Sequence, residues 1–333
     1  MTDTRSPLDE FTRIDRFFAP LTRNAPGAFG LTDDGAILPV TPEDTRWVVT
    51  TDALVSGVHF LDSDPVDLIA RKALRTNLSD LAAMGAVASG YTLVLALPRD
   101  LAGTEAWLGA FTDGLAQDQE LYGIALYGGD SVSTQGPLWI SITAFGTAPG
   151  ATGVLHRSGA SAGDELWVSG TIGDATLGLK VLAGDIKGND PALIDRYRLP
   201  RPRLALGRAL SGLASACLDV SDGLVQDAGH IARQSAVRIV IDVESLPLSA
   251  QVAAHVDSAP QLRHSILTGG DDYELLFTAR PDQANAIREA GRQAHTMVSR
   301  IGRVESGEGT TVLDAAGIPM EGLDEGGWRH FEA

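Results

Sequence analysis

The stretch Ala216-Cys-Leu-Asp-Val-Ser-Asp-Gly223 combines the features that decide the fold class of this chain. Its apolar start predicts a short strand, and its aspartates and glycine predict a turn. The residues that follow, to about Gln234, predict a helix, and Arg238-Ile-Val-Ile-Asp242 predicts the next strand. Strands that alternate with helices through acidic, glycine-containing turns are typical of α/β or α+β proteins.

The same order of elements recurs along the whole chain. Strands are predicted at 46–51, 91–97, 124–127, 138–145, 165–169 and 273–278, and helices at 8–21, 64–84, 102–121, 173–182 and 203–214. The segment Ala148-Pro-Gly-Ala-Thr-Gly153 is the strongest linker candidate, which predicts one domain over 1–150 and a second over 151–333. The sequence shows no short repeat, which argues against a solenoid.

The composition favours an acidic cytoplasmic enzyme. Of 333 residues 44% are hydrophobic, and 43 Asp and Glu face 26 Lys and Arg, a net charge of −17. Such a field repels nucleic acid and anionic lipid, so neither is an expected partner. The charge either serves solubility alone or includes carboxylates that bound cations neutralise. No apolar signal core and no run of membrane-spanning length occurs in the sequence, so a cytoplasmic location is expected.

Several common kinds of site are excluded by the sequence. A single cysteine, Cys217, rules out an internal disulfide, and the seven histidines form no H-x-x-x-H pair that would suit zinc. The P-loop, the Rossmann glycine fingerprint, the G-x-S-x-G elbow and the protein-kinase strings are missing as well. A protein of this sequence that uses ATP must therefore use another scaffold.

Aspartates recur where an apolar run breaks into a glycine-containing turn. These positions are Asp33-Asp34-Gly35, Asp52, Gly129-Asp130, Asp219 with Asp222-Gly223, and Gly269-Gly270-Asp271-Asp272, while Asp80 lies within a predicted helix. Carboxylate oxygens in such turns suit Mg²⁺ together with substrate phosphates. Each residue also has a structural interpretation: a turn former, a helix N-cap at Asp222, or a solvated helix face at Asp80. Composition and spacing thus predict only a site for divalent cations and phosphate.

Seven strings of the sequence carry a family resemblance. They are Leu31-Thr-Asp-Asp-Gly-Ala-Ile-Leu38, Thr50-Thr-Asp-Ala-Leu-Val-Ser-Gly-Val-His-Phe60, Lys72-Ala-Leu-Arg-Thr-Asn-Leu-Ser-Asp-Leu-Ala-Ala-Met-Gly-Ala86, Gly128-Gly-Asp130, Leu218-Asp-Val-Ser-Asp-Gly-Leu224, Gly269-Gly-Asp-Asp-Tyr-Glu-Leu-Leu-Phe277 and Gly327-Trp-Arg-His-Phe331. In this order, over nearly the whole chain, they resemble the thiamine-monophosphate kinase family. The string from Asn77 to Gly85 is the most specific of them.

The resemblance implies a two-domain fold of the α/β (α+β) class, shared with aminoimidazole ribonucleotide synthetase. Residues 1–150 would form an N-terminal domain that binds ATP and Mg²⁺ and dimerises through its sheet. Residues 151–333 would form a C-terminal α/β domain that completes the active site. The implied reaction is direct in-line transfer of the γ-phosphoryl group of ATP to thiamine monophosphate, which gives thiamine diphosphate.

The resemblance also implies roles for individual residues, none of them a general base. Several Mg²⁺ ions would be held by Asp33, Thr50, Thr51, Asp52, Asp80, Asp130, Asp219 and Asp222; ATP by Gly129, Asp130, Arg157 and Ser221; and thiamine monophosphate by His59, Asp271 and Trp328. Two residues depart from the family pattern: Thr32 replaces a usual glycine, and Asp271 replaces a common glutamate.

Two alternatives stand beside this interpretation. The first is another ATP-dependent enzyme of the same superfamily. A selenophosphate synthetase would carry a reactive cysteine near its N-terminus, whereas the only cysteine here is Cys217. The second is a non-catalytic relative that binds cations or nucleotides. The presence of every expected carboxylate argues against it, because closely spaced acids repel one another unless a cation or proton intervenes.

Overall fold

The computed structural model describes residues 14–31, 45–99, 101, 104–323 and 327. The chain divides into two compact units, which we call the first unit (Met1–Leu81 and Ala88–Thr147) and the second unit (Ala82–Val87 and Ala148–Ala333). Asp33 and Trp328, two of the residues singled out from the sequence, lie outside the described residues. In the described part of the chain, no helix combines the length and the apolar character that crossing a bilayer requires.

The first unit is built on a four-stranded sheet with the strand order β1-β4-β2-β3. Its strands and α-helices are β1 (Thr45–Val55), α1 (Val66–Ala83), β2 (Val87–Pro98), α2 (Glu105–Tyr122), β3 (Ala125–Thr134) and β4 (Trp139–Pro149). Strands β2 and β3 run parallel. A π-helical turn at Ile14–Phe18 and 3-10 turns at Ala19–Thr22 and Pro26–Leu31 precede the sheet.

Helix α1 is buried on its polar side as well as on its apolar side. Leu74, Leu78 and Leu81, spaced four and three residues apart, are fully buried on its apolar side. On the polar side, the buried Arg75 guanidinium donates from Nε to Asp118 Oδ2 of helix α2 at 2.6 Å. These contacts fix the position of α1, and with it the orientation of the side chains on its last turns.

The second unit is built on a six-stranded sheet with the order β10-β7-β9-β5-β8-β6. Its elements are α3 (Gly150–Gly153), β5 (Glu165–Ser169), α4 (Asp174–Ala183), α5 (Pro191–Arg198), α6 (Leu204–Leu210), β6 (Ala216–Asp219), α7 (Leu224–Ser235), β7 (Arg238–Asp242), α8 (Ala250–Ser258), α9 (Leu262–Thr268), β8 (Leu275–Ala279), α10 (Ala284–Gln293), β9 (Val298–Glu305) and β10 (Gly309–Leu313), with 3-10 turns at Val243–Ser245 and Pro281–Gln283. Strands β7 and β10 are parallel, and the other pairs are antiparallel.

Helices cover both faces of this sheet. Neighbouring side chains of a strand point to opposite faces, so they join different clusters. Leu218 of β6 belongs to a cluster that contains Ile231 of helix α7. Its neighbour Cys217 belongs to a separate cluster with Leu206 of α6 and Ile287 of α10. The strand β6 is therefore apolar on both sides, and its last residue, Asp219, stands where the strand gives way to the turn before α7.

Two of the predicted turns are strands in the structure. Asp52 lies inside β1, which continues to Val55, and Asp130 lies inside β3, which continues to Thr134. The prediction that these aspartates follow the ends of strands was therefore wrong. For Asp130 the reason is visible at Gly129, where a Cβ atom would lie 1.9 Å from the Leu93 carbonyl oxygen. Here glycine allows close approach of a neighbouring strand and does not form a turn.

Candidate functional site

Strand β1 and helix α1 bring two predicted metal ligands of the first unit together. Asp52 of β1 lies in the electrostatic range of Asp80, and the nearby Thr76 hydroxyl has a lowering effect on its pKa. The Thr50 hydroxyl donates to Asp80 Oδ2 at 2.5 Å. Burial, with the repulsion from Asp80, raises the pKa of Asp52 to about 6. Two carboxylates held this way favour a bound cation, because a cation relieves both the repulsion and the desolvation.

Thr51 differs from its neighbours on β1. Its hydroxyl donates to the Ile142 carbonyl oxygen at 3.2 Å and accepts from the Thr143 hydroxyl at 3.0 Å. Because side chains alternate along a strand, the Thr51 hydroxyl points away from the face that carries Thr50 and Asp52. The structure thus groups Thr50 with the carboxylate pair and directs the Thr51 hydroxyl to strand β4.

Strand β3 presents Gly129 and Asp130 at the surface of the first unit. Both residues are exposed, and Asp130 Oδ1 accepts the Ser131 N–H at 2.7 Å. In the parallel pairing of β2 with β3, Gly129 lies opposite Leu93 and Asp130 opposite Val94. Because Gly129 packs closely on Leu93, the position of the neighbouring Asp130 on the sheet is fixed.

His59 lies in the turn that follows β1. The Val55 N–H donates to His59 Nδ1 at 3.0 Å. In the neutral ring, Nδ1 is then the acceptor and the proton resides on Nε2. His59 therefore has its ring orientation set by the strand that carries Asp52.

In the second unit, main-chain hydrogen bonds join the two segments that contain the other candidate residues. The Asp271 N–H donates to the Ser221 carbonyl oxygen at 2.9 Å, and the Tyr273 N–H donates to the Val220 carbonyl oxygen at 2.8 Å. Gly270 packs on the same backbone, since a Cβ atom there would lie 2.0 Å from Ser221 O. Asp271 itself has φ +70°, a conformation that is uncommon for an aspartate.

One buried carboxylate collects the main-chain donors of the turn after β6. Asp227 of helix α7 is 3% exposed, and its Oδ2 accepts the N–H groups of Ser221, Asp222 and Gly223, each at 3.1 Å. Burial, followed by repulsion from Asp222, raises the pKa of Asp227 to about 7 in spite of these donors. Asp227 carried no predicted role, although it lies five residues after Asp222.

Asp222 lies in a small group of potential metal ligands. One ligand atom each from Asp222, Asp227 and His230 lies within 4.8 Å of the others. Gln226 Nε2 donates to Asp222 Oδ2 at 3.0 Å. Burial lowers the pKa of His230, as do the nearby charges of Arg233 and Arg157. The structure therefore places Arg157, which is exposed, in the electrostatic range of this group.

A second buried acid, Glu274, supports the segment that contains Asp271. Glu274 is fully buried, and it accepts from Arg196 Nη2 at 2.8 Å and from Arg203 Nε at 2.7 Å. The Ser169 hydroxyl donates at 2.5 Å to Oε2, the oxygen that also accepts from Arg203 Nε. Sequence reasoning missed this network. The sequence does contain a signal for this network, which is the run of arginines in Arg196-Tyr-Arg-Leu-Pro-Arg-Pro-Arg203. Such a density of cations is unusual in an acidic chain.

Asp272 anchors the same segment to helix α4. Its carboxylate accepts the Gly173 N–H at 2.7 Å and the Ala175 N–H at 3.3 Å. Complete burial raises the pKa of Asp272 to about 8, against the lowering effect of these donors and of Arg196. Asp271, in contrast, is half-buried, so of the two adjacent aspartates it is the one that can reach a ligand.

Comparison with known proteins gives a consistent result. The AIR synthase related protein N-terminal domain matches residues 32–148, and the corresponding C-terminal domain matches residues 161–315. The thiamine-monophosphate kinase of Caulobacter vibrioides is 46% identical over 92% of this chain and 87% of its own length.

Two solved structures have the same fold over almost their whole length. The thiamine-monophosphate kinase of Stenotrophomonas maltophilia K279a is 39% identical, with a TM-score of 0.81, covering 92% of this chain and 97% of its own. AaThiL complexed with AMPPCP and TMP is 33% identical, with a TM-score of 0.76, covering 98% and 100%.

Proposed function

The chain belongs to the thiamine-monophosphate kinase family, and from this premise we propose that it transfers the γ-phosphoryl group of ATP to thiamine monophosphate. The products are thiamine diphosphate and ADP. The relative solved with AMPPCP, an ATP analogue, and TMP supports both substrates. The alternative of another reaction within the superfamily has no comparable support, since relatives that match nearly the full chain carry the thiamine-monophosphate kinase name.

The observation that carries the proposal is the carboxylate pair of the first unit. Asp52 and Asp80 lie close enough to raise the pKa of Asp52, and Thr50 is hydrogen-bonded to Asp80. These are hard oxygen donors, and they fit Mg²⁺. We assign Mg²⁺ to Thr50, Asp52, Asp80, Asp130, Asp219 and Asp222, with the backbone of Thr51 and with Asp33 as further ligands. Bound Mg²⁺ supplies charge neutralisation at the phosphate oxygens.

The remaining candidate residues bind the two substrates. Gly129, Asp130, Arg157 and Ser221 are assigned to ATP, and His59, Asp271 and Trp328 to thiamine monophosphate. Arg157 lies in the electrostatic range of the Asp222 group, where an arginine can pair with phosphate oxygens in a fork. The bond from the Val55 N–H to Nδ1 fixes the His59 ring beside the strand that carries Asp52, which supports a role of His59 near the metal ligands.

Catalysis rests on positioning and charge, and no covalent intermediate with the protein is needed. The rigid backbone around Gly129 and the paired segments at Ser221 and Asp271 hold their side chains before the substrates arrive. The acceptor is already a phosphate monoester with an ionised oxygen, so a strong general base is unnecessary. A direct in-line transfer therefore inverts the configuration of the transferred phosphorus.

The deciding assay incubates the protein with ATP and thiamine monophosphate and measures thiamine diphosphate by chromatography. We expect product with Mg²⁺ and none after chelation of the metal with EDTA. Free thiamine as the acceptor tests whether its phosphate is needed. A protein that hydrolyses or binds ATP with Mg²⁺ but makes no thiamine diphosphate would contradict the proposed acceptor.

The four-stranded sheet of the first unit also supports a homodimer. Its strands expose Val49, 63% accessible, and Val132, 47% accessible. Exposed apolar side chains on a sheet are commonly covered by a partner. We expect the mass of a dimer in sedimentation experiments, and a shift toward the monomer in the variant Val49→Asp. A wild-type protein that sediments as a monomer at assay concentration excludes this assembly.

A further inference from the structure

We propose that Asp227 is a positioning residue that holds the turn Ser221–Gly223 in the shape that binds the metal–nucleotide complex. The inference rests on the proposed function, because Ser221 and Asp222 are there assigned to ATP and Mg²⁺. It adds a residue that carries no role in that assignment. Asp227 acts through the turn and does not itself contact the substrate.

The hydrogen bonds of Asp227 are unusual in their convergence. Three consecutive main-chain N–H groups, from Ser221, Asp222 and Gly223, point at one carboxylate oxygen, each at 3.1 Å. Consecutive N–H groups ahead of a helix form a concave site that attracts anions such as phosphate. Here the chain fills that site with its own carboxylate, from the first turn of helix α7.

This arrangement determines which groups of the turn remain for a ligand. The N–H of Ser221 is bound to Asp227, and the carbonyl oxygen of Ser221 accepts the Asp271 N–H at 2.9 Å. The Ser221 N–H is therefore not available to a phosphate oxygen. The Ser221 hydroxyl and, by way of the metal, the Asp222 carboxylate are the groups that we assign to the nucleotide.

The surroundings of the turn leave little room for another shape. Gly223 has φ +126°, and a Cβ atom there would lie 2.5 Å from the Thr268 carbonyl oxygen. A Cβ atom on Gly270 would likewise collide with Ser221 O. The turn is thus packed from outside by main chain and held from inside by Asp227. Loss of the Asp227 oxygen leaves three buried or half-buried N–H groups unsatisfied, which favours a rearranged turn.

A competing interpretation makes Asp227 a direct metal ligand with Asp222 and His230. The geometry favours the positioning role, since Asp227 Oδ2 already accepts three N–H groups. The residue as a whole is only 3% exposed. A ligand role predicts that loss of His230 weakens Mg²⁺ binding as much as loss of Asp227 does. A positioning role predicts a small effect at His230.

The experiment measures the Kd of Mg·AMPPCP by isothermal titration calorimetry, without thiamine monophosphate. The variants are Asp227→Asn, which keeps one acceptor oxygen, Asp227→Ala, which keeps none, and His230→Gln. The matched control is Asp164→Asn. Asp164 is equally buried at 4% exposure, and its Oδ2 accepts the Ser161 N–H at 3.0 Å, but it holds no candidate site residue.

We expect the Kd of Mg·AMPPCP to rise about 10-fold in Asp227→Asn and about 100-fold in Asp227→Ala. Losses of this size are typical when a residue that orients a ligand-binding group is replaced. Asp164→Asn and His230→Gln should stay within about 2-fold of the wild type, even where Asp164→Asn lowers Tm as much as Asp227→Asn does. An unchanged Kd in both Asp227 variants overturns the proposal. An equal loss in His230→Gln overturns it in favour of a direct ligand.

A second measurement, on the wild-type protein, tests the proposal even if the variants fail to fold. In the wild-type protein, the amides of residues 221–223 should exchange with deuterium much more slowly than amides of an exposed turn, with and without nucleotide. Exchange at the rate of an unstructured peptide overturns the proposal. Failure of the proposed function is distinguishable, since a wild type that binds Mg·AMPPCP but does not phosphorylate thiamine monophosphate contradicts the reaction and still decides the role of Asp227.

Discussion

The Asp52–Asp80 pair of the first unit and two buried carboxylates of the second unit have opposite environments. In the first unit, Asp52 and Asp80 face each other, and their hydrogen-bond donors include the neutral hydroxyls of Thr76 and Thr50. In the second unit, Glu274 receives the guanidinium groups of Arg196 and Arg203, and Asp227 receives three main-chain N–H groups. The repulsion between Asp52 and Asp80 favours a bound cation, whereas the donors to Glu274 and Asp227 stabilise the fold.

The largest expected effect is on catalysis, at the first-unit pair. Asp52→Asn should lower kcat by at least about 100-fold, because a metal ligand contributes several kcal/mol to stabilisation of the transition state. The Tm without metal should not fall, since the substitution removes the repulsion with Asp80. Steady-state kinetics and a thermal melt measure both quantities.

Asp130→Asn should reduce turnover in the same way, whereas Asp113→Asn, an exposed aspartate of helix α2, serves as the matched control and should leave it unchanged. Near-wild-type turnover in both Asp52→Asn and Asp130→Asn would falsify the metal assignment.

The next effect is on stability, at Glu274 of the second unit. Glu274→Gln leaves the buried guanidinium group of Arg196 and the partly buried one of Arg203 without their carboxylate, which should cost about 3–5 kcal/mol in the free energy of unfolding. Urea denaturation measures this loss. Asp282→Asn breaks the ion pair with Arg280, whose two side chains are each 67% exposed, and should cost less than about 1 kcal/mol. Equal costs at the two positions would show that the buried network is no more important than a surface pair.

A smaller effect separates two adjacent glycines of β3. Gly129→Ala should destabilise the protein by about 1–3 kcal/mol, because its Cβ atom would meet the Leu93 carbonyl oxygen and force the strands apart. Gly128→Ala should cost far less, since a Cβ atom there meets nothing within 4 Å. Chemical denaturation of both variants makes the comparison. Similar losses would contradict the close packing described for β2 and β3.

A further effect concerns the pH dependence of stability at Asp272. Burial raises the pKa of Asp272 to about 8 from an ordinary 3.8, so the folded protein retains a proton that the unfolded chain has already released. This group therefore destabilises the fold progressively as pH rises from 4 to 8. From pH 4 to pH 8, the unfolding free energy of the wild type should fall by at least about 1 kcal/mol relative to that of Asp272→Asn. A difference that stays constant with pH refutes the raised pKa.

Much of the secondary structure follows from local signals. The Asp64-Pro65 pair and Gly85 predicted the helix that runs from Val66 to Ala83, and the apolar run 91–97 predicted β2. The turn after Asp219 was also predicted, because glycine and aspartate leave few other conformations open. These signals act between neighbours in the chain, so a single sequence contains them.

The parts that were missed depend on partners distant in the chain. The glycines before Asp130 looked like a turn, and only the packing on Leu93 shows them to be part of a strand. Glu274 finds its arginines more than seventy positions earlier, at Arg196 and Arg203. In the sequence, Asp227 is an ordinary polar residue of an amphipathic helix. Only the folded structure shows that three N–H groups donate to it. The family resemblance named residues that are expected to contact ligands, whereas Glu274 and Asp227 bind the neighbouring main chain and side chains.

The lone cysteine gives the protein a built-in reporter. Cys217 lies in strand β6 at 2% exposure, and burial raises the pKa of its thiol, so thiol reagents should label it only when the second unit opens. Because the chain has no other cysteine, the labelling rate under native conditions measures the opening of that unit directly. Slower labelling in the presence of a ligand would then reveal binding without any radioactive or coupled assay.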